Sequence, residues 1–259
     1  MTNAIPDGSG IPVDRDVMST GAGQRTNHIK YYPNIEQGTD EWFAVRCGLL
    51  TASEMKNLVN EKIERVKPKK KDKDITYLYE LLAQRITGYV APSWQGDNMI
   101  RGHEDEIYAI QAYSENYAPV QQMGFITNDK WGFTLGYSPD GLVGDDGIIE
   151  GKSRCYKYQL ETILEEGMPA EYNVQVQTGL LVSERKWCDF ISYPERGGWD
   201  MATIRVPAHT ETQEFILDTA ADFEKRLQEK LRQYQDIVAS GRMHLIKTER
   251  RTIEEEITI

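Results

Sequence analysis

The segment Ser138-Pro-Asp-Gly-Leu-Val-Gly-Asp-Asp-Gly-Ile-Ile-Glu-Gly-Lys-Ser153 constrains the fold more than any other part of the chain. Asp145-Asp146-Gly147 has hairpin-turn chemistry and separates strand-like runs over residues 132–136 and 147–153. Strand period two puts Glu150 and Lys152 on one face, and the hairpin brings Asp140 alongside them. Two carboxylates and an ammonium then converge on one spot. Magnesium prefers oxygen ligands and keeps waters, so one or two carboxylates per ion are its usual protein anchor. Such a site suits phosphodiester hydrolysis, because a metal lowers the pKa of a bound water and neutralises charge on phosphorus, while a lysine orients the water or helps deprotonate it. A plainer reading stands beside this one, with Asp140-Gly141 as a turn and Glu150/Lys152 as an exposed same-face ion pair. A calcium loop is set aside, since Asp140 to Glu150 does not follow the D-x-[DN]-x-[DN]-G-x5-E pattern.

The surrounding pattern predicts an α/β fold with a central mixed sheet flanked by helices. Further strands are expected at residues 122–127, 187–193 and 201–206, and helices at 75–87, 98–117, 158–166, 170–182 and 212–238. Thr39 reads as a helix start before Trp42 and Arg46, and Thr51-Ala-Ser53-Glu54 has capping-box spacing, which places Ser53 in a first helical turn. Lys67-Pro-Lys-Lys-Lys71-Asp-Lys73, with five lysines, is either a solvated loop or a phosphate-contacting finger. With 259 residues, a single α/β domain over residues 28–245 is expected, with a glycine-rich tail at 1–27 and a C-terminal extension at 246–259.

On the helix over residues 98–117, Ile107, Ile110, Tyr113 and Tyr117 recur at helical spacing. Glu106 falls roughly 40° from Ile110, inside that stripe, while Glu104 and Asp105 point outside it. A carboxylate aimed into a core needs a partner or a metal, so Glu106 is either a satisfied core acid or a third ligand. His103, also in the stripe, reads as a packing residue, since magnesium favours oxygen. Gln177 shares the apolar side of its helix with Val174 and Leu180, and its amide needs a polar partner.

The balance of 30 Lys+Arg against 41 Asp+Glu, net −11, argues against a protein that coats nucleic acid through overall positive charge, but leaves room for a confined basic channel. Lys62, Arg65, Lys67, Lys69 to Lys71, Arg154 and Lys157 are candidates to line it. Cys47, Cys155 and Cys188 are odd in number and far apart, so neither a disulfide framework nor a zinc site is indicated. No apolar run approaches the roughly 18 residues of a membrane span. The N-terminus lacks signal-peptide order, so a cytoplasmic protein is expected.

Pro139-Asp140, Glu150-Gly151-Lys152 and the upstream Glu106 resemble the PD-(D/E)xK motif of restriction-endonuclease-like nucleases. More closely, Gln37-Gly-Thr-Asp-Glu-Trp42, Arg46, Thr51-Ala-Ser53-Glu54, Ser138-Pro-Asp-Gly141, Glu150-x-Lys152 and Gln175-Val-Gln177 appear in the order found in the lambda-exonuclease and YqaJ-like viral recombinase family, a resemblance covering residues 37–240. It implies a magnesium-dependent 5′-to-3′ exonuclease on linear double-stranded DNA, releasing mononucleotides and leaving a 3′ overhang. Manganese is a possible substitute, with two ions per site. It also implies a homotrimeric ring of phage or prophage origin in a bacterial host, acting with a single-strand annealing protein. In the matching pattern Asp140, Glu150, Glu106 and the Gly151 carbonyl bind metal. Lys152 activates water, Gln177 is a site glutamine, and Arg46, Ser53 and Ser138 hold the 5′ phosphate. The sequence departs from the pattern at Thr178, and either Arg154 or Lys157 fits the basic position after the active-site strand. An endonuclease or repair nuclease of the same superfamily is the alternative, and a non-catalytic end-binding module a further one. The joint presence of Glu106, Asp140, Glu150 and Lys152 weighs against a degenerate site.

Overall fold

A computed structural model describes residues 27–66, 73–91 and 97–248, without the side chains of 97–100 and His103. Lys67 and Lys69 to Lys71, positions 1–26 of the expected tail and 249–259 of the expected extension therefore lie outside the described residues. The elements are β1 (Ile29–Tyr32), α1 (Asp40–Arg46), β2 (Leu50–Thr51), a 3-10 helix (Ala52–Asn57), α2 (Lys73–Thr87), α3 (Asp97–Asn116), β3 (Phe125–Asn128), β4 (Leu135–Tyr137), β5 (Gly141–Val143), β6 (Gly147–Arg154), α4 (Tyr156–Leu164), a second 3-10 helix (Ala170–Tyr172), α5 (Asn173–Ser183), β7 (Trp187–Pro194), β8 (Ala202–Pro207) and α6 (Thr210–Ser240).

The fold is mixed α/β, as expected, but its strands are shared between two four-stranded mixed sheets, ordered β1-β3-β4-β2 and β5-β6-β7-β8. In the second, β6 runs parallel to β7 along its whole length, from Gly147 opposite Trp187 to Arg154 opposite Pro194. The helices α4 and α5 lie in the crossover between them, as a parallel pair requires. The hairpin partner of β6 is β5, not the strand at residues 132–136. An Asp-Gly turn signal at Asp140-Gly141 conceals that three-residue strand. Gly147 is needed for close approach, because a Cβ there would stand 2.1 Å from the Trp187 ring.

The two faces of β6 bury against different partners. Ile149 joins Ala109 and Tyr113 of α3 with Val143 and Ile191. Ile148 joins the larger core with Cys188, α5 and the first sheet. Almost every residue of α5 from Val174 to Ser183 is buried, so this helix is central rather than amphipathic. The long helix α6 buries Ile216, Ala220, Phe223 and Leu227 at helical spacing, with Phe223 stacked on Tyr77 of α2 at 5.8 Å.

Two arginine forks clamp α2 to α6. Arg226 grips Asp74 at 2.8 and 3.0 Å, and Arg85 grips Glu224 at 2.6 and 2.8 Å while donating to Gly48 O at 2.8 Å. Burial raises the Glu224 pKa, but hydrogen bonds from Arg85 and Gln228, with the Arg85 charge, overcome it, and the net shift is downward. A depressed carboxylate adds stability above its unfolded pKa, and that stability is lost as pH falls through the folded value. Arg85→Ala is expected to cost about 3 kcal/mol near neutral pH. Urea unfolding across pH 3–7 checks this, with the gap from wild type narrowing towards the acid end.

Candidate active site

The strand β6 carries the chemical groups as its period dictates. Glu150 is 1% exposed, and its Oε1 accepts from Lys152 Nζ at 2.6 Å. Gln175 Nε2 also donates to Oε1. Tyr137 donates its hydroxyl to Oε2 at 3.0 Å. Tyr137 reaches this position because α5 presents Gly179 to its ring, where a Cβ would stand 2.7 Å from the ring carbon. Asp140, half-buried at the head of β5, accepts from Gly151 N at 2.6 Å. Burial, then the charges of Glu150 and Glu106, push the Asp140 carboxyl well above its usual range, against Lys152 and the Gly151 N–H. Burial opposes the charge of Lys152, but Glu150, Asp140 and Glu106 outweigh it and raise its pKa, so Lys152 is an ammonium here.

Glu106 thus lies near enough for its charge to act on both Asp140 and Lys152. The buried line of α3, however, runs through Asp105, Ala109 and Tyr113, while Ile107 is 67% and Tyr117 59% exposed. The stripe read from the sequence is therefore rotated. Asp105, expected to point outward, is the deeply buried acid, and it accepts from Ser153 Oγ at 2.5 Å and Arg196 N at 3.2 Å. His103, expected to pack in that stripe, has its side chain outside the described residues.

A second polar cluster sits at the end of α1. Thr39 caps this helix by accepting from Trp42 N at 3.4 Å, and Arg46 closes its last turn. The Arg46 guanidinium lies 4.0 Å over the Trp42 ring and donates to Thr51 Oγ1 at 3.5 Å, which in turn is 3.5 Å from Ser53 Oγ. The capping box does not form. The 3-10 helix spans six residues and the Thr51 side chain caps nothing, turning instead to Arg46 and Ser53. Ser53 does lie in its first turn. Among the described residues no carboxylate forms an ion pair with Arg46, and burial lowers its pKa against the charges of Tyr77 and Glu54. A half-buried guanidinium in that state is able to take an anion. Trp42 Nε1 donates to Ser138 Oγ at 2.8 Å, which ties this cluster to the Pro139-Asp140 step.

The structure brings Asp140, Glu150, Gly151 and Lys152 together, sets Glu106 nearby, and joins Arg46 and Ser138 through Trp42, with Ser53 reached through Thr51. It does not bring Gln177 to the carboxylates. That amide donates to Pro207 O at 2.9 Å and accepts from His209 N at 2.8 Å, a core role joining α5 to the start of α6. Gln175 occupies the place expected of it. Because α5 is buried all round, helical periodicity cannot tell the two glutamines apart. Arg154 is turned inward, donating to Glu171 at 2.8 Å and to the Tyr172 hydroxyl at 3.0 Å. Lys157 is exposed, 4.5 Å over the Tyr158 ring. Of the channel candidates, Lys62 is exposed and Arg65 pairs with Asp218 at 2.5 Å. The three cysteines are free, as expected.

The donor set fits a magnesium-like ion. The buried Glu150 and half-buried Asp140, whose charges repel, offer hard oxygen ligands, and water completes such a shell. Among the described residues no three His, Cys, Asp or Glu side chains converge into a complete cage, and Asp140 and Glu150 are carboxylates that could anchor an ion here. No helix among the described residues is long and apolar enough to cross a membrane.

Known structures show the same arrangement of chain. An alkaline exonuclease, LHK-Exo, from Laribacter hongkongensis superposes with a TM-score of 0.68 at 30% identity, over 78% of this chain and 99% of that one. LHK-Exo in complex with dAMP gives 0.67 at 32% identity, over 78% and 98%. No curated protein matches the chain. Residues 41–186, which contain both polar clusters, match the YqaJ-like viral recombinase domain. With a PD-(D/E)xK fold, that domain and an alkaline exonuclease as its structural relative, the chain belongs to the YqaJ-like viral recombinase family and is a nuclease of the alkaline-exonuclease type.

Proposed function

We propose that this nuclease is a magnesium-dependent 5′-to-3′ exonuclease that degrades one strand of linear double-stranded DNA to mononucleotides and leaves a 3′ single-stranded overhang. The observation that carries the reading is the Trp42–Ser138 hydrogen bond, which couples the Arg46 cluster to the strand entry that bears Asp140. A seat for a terminal phosphate next to the carboxylates selects the first phosphodiester inside a 5′ end. Arg46 supplies a two-pronged donor to that phosphate, with Ser53 and Ser138 beside it. The six-residue 3-10 helix adds little dipole, so the guanidinium is the main attraction. LHK-Exo in complex with dAMP supports a site that accepts a mononucleotide.

Asp140, Glu150 and the Gly151 carbonyl would hold the ion, with Glu106 completing its shell and a second ion sharing the site. When bound, magnesium or manganese supplies an activated water and neutralises charge on the phosphate. Lys152, held as an ammonium, orients the attacking water and donates to the developing charge. Gln175 and Tyr137 fix the Glu150 carboxylate, and Lys157 contacts the DNA backbone from the surface. The viral recombinase description of the domain supports strand-annealing recombination, in which a single-strand annealing protein receives the overhang from a homotrimeric ring of this chain.

After removal of metal with EDTA, magnesium or manganese restores hydrolysis of linear duplex while closed circular DNA stays intact. Linearisation of the circle would instead establish an endonuclease, and end binding without hydrolysis a binding module. Tyr137→Phe removes one of the donors to Glu150 and is expected to weaken manganese binding about 10-fold by calorimetry. An unchanged affinity would mean that Tyr137 only packs.

A further inference from the structure

Beside the catalytic strand, a cleft of about 780 Å3 opens between α3 and the turn after β7. Its volume lies within the roughly 300–1,000 Å3 of ligand pockets. Its walls carry two phenol rings, Tyr108 and Tyr193, two guanidiniums, Arg101 and Arg196, and the carboxylates Glu104 and Asp105, and Arg101 is paired with Glu195 at 3.3 Å. Tyr108 is 60% exposed, and the Arg196 side chain is exposed as well. Tyr193 is half-buried against the smaller core, whereas Tyr108 stands largely in solvent.

The turn is built to hold this shape. Arg196, Gly197 and Gly198 are all left-handed, at φ 63°, 67° and 79°. Nothing lies within 4 Å of a Cβ built on Gly198, so the backbone there borders open space. The Asp105 carboxylate on the floor accepts from Arg196 N at 3.2 Å and from Ser153 Oγ at 2.5 Å, and so joins the turn to β6 next to Lys152. The following residue on α3 is Glu106, whose charge acts on Asp140 and Lys152. Past the turn, Trp199 is 41% exposed and stands edge-on to Tyr156 at 6.0 Å. Gln159 of α4 donates to Asp200 O at 2.8 Å and to Ser192 O at 3.0 Å, which fixes both ends of this loop.

We propose that the cleft formed by Tyr108, Tyr193, Arg101 and Arg196 binds unpaired nucleotides of single-stranded DNA next to the point of hydrolysis. Ring faces accept any unpaired base by stacking, and the exposed Arg196 guanidinium takes a phosphate, while Arg101, held by Glu195, borders the strand. A paired base hides its face, so the cleft selects single strand over duplex. On a chain of net charge −11, contact with a polynucleotide must come from confined sites of this kind. The purpose of the cleft rests on the exonuclease reading, because an exonuclease on duplex ends generates an unpaired strand at its own active site.

Fluorescence anisotropy with a labelled oligothymidylate, in EDTA and low salt, tests the full chain. Tyr108→Ala and Arg196→Glu are each expected to weaken binding about 10-fold, while Tyr108→Phe binds as wild type. Wild-type affinity in Tyr108→Ala and Arg196→Glu would overturn the proposal. Equal losses in Tyr108→Phe and Tyr108→Ala would overturn the stacking role. Hydrolysis of linear duplex by the wild type in magnesium is read separately. If hydrolysis persists without the affinity losses, the cleft alone fails; if the affinity losses persist without hydrolysis, the nuclease reading alone fails.

Discussion

Asp140→Asn slows hydrolysis of linear duplex DNA by on the order of 10³-fold or more, with the fold and end binding retained. Asp140 accepts from Gly151 N and lies near enough to Glu150 for the two charges to repel, and the amide that replaces it is a far weaker ligand for a hard cation. The fold persists because asparagine has the same shape and still accepts the Gly151 N–H. Circular dichroism melting separates the two effects: an unchanged transition with lost turnover places the loss in chemistry. A variant that keeps more than about a tenth of wild-type turnover would remove Asp140 from the metal site.

Arg46→Ala lowers kcat/KM on 5′-phosphorylated ends by about 10- to 100-fold and has little effect on 5′-hydroxyl ends. The guanidinium is half-buried over Trp42, makes one long hydrogen bond to Thr51, and has no carboxylate ion pair among the described residues to lose when an anion arrives. Most of its attraction is therefore available to a phosphate. Arg46→Lys keeps the charge but not the planar fork, so it recovers only part of the preference. Steady-state rates on the two kinds of end check this. Equal losses on both would mean that Arg46 supports the fold around Trp42 and Phe125 rather than reading the terminus.

Elements with a strong local period were legible from sequence. The alternation of β6 placed Glu150 and Lys152 on one face, and the helical spacing in α6 gave its buried side. The strands β1 and β2 escaped notice because they are four and two residues long and are held by partners distant in sequence, and the three-residue β5 because its Asp140-Gly141 start reads as a turn. On α3, counting apolar residues misplaced the buried face, since Ile107 and Tyr117 are exposed while Asp105 is satisfied by Ser153, 48 positions away. The roles of Tyr137 and Gln175 also depended on tertiary contacts. Tyr137 looks like a strand aromatic, and only Gly179, opposite it on another element, shows why its hydroxyl reaches Glu150.

The central claim is that a 5′-phosphate seat and a carboxylate–lysine cluster, joined through Trp42 and Ser138, make an enzyme that attacks from the 5′ end. The most direct test is a time course on linear duplex labelled at either the 5′ or the 3′ terminus, with and without a 5′ phosphate, in magnesium. The account predicts early release of the 5′ label as a mononucleotide, late release of the 3′ label, and slower attack on 5′-hydroxyl ends. Release of the 3′ label first, or fragments of mixed internal length, would contradict it.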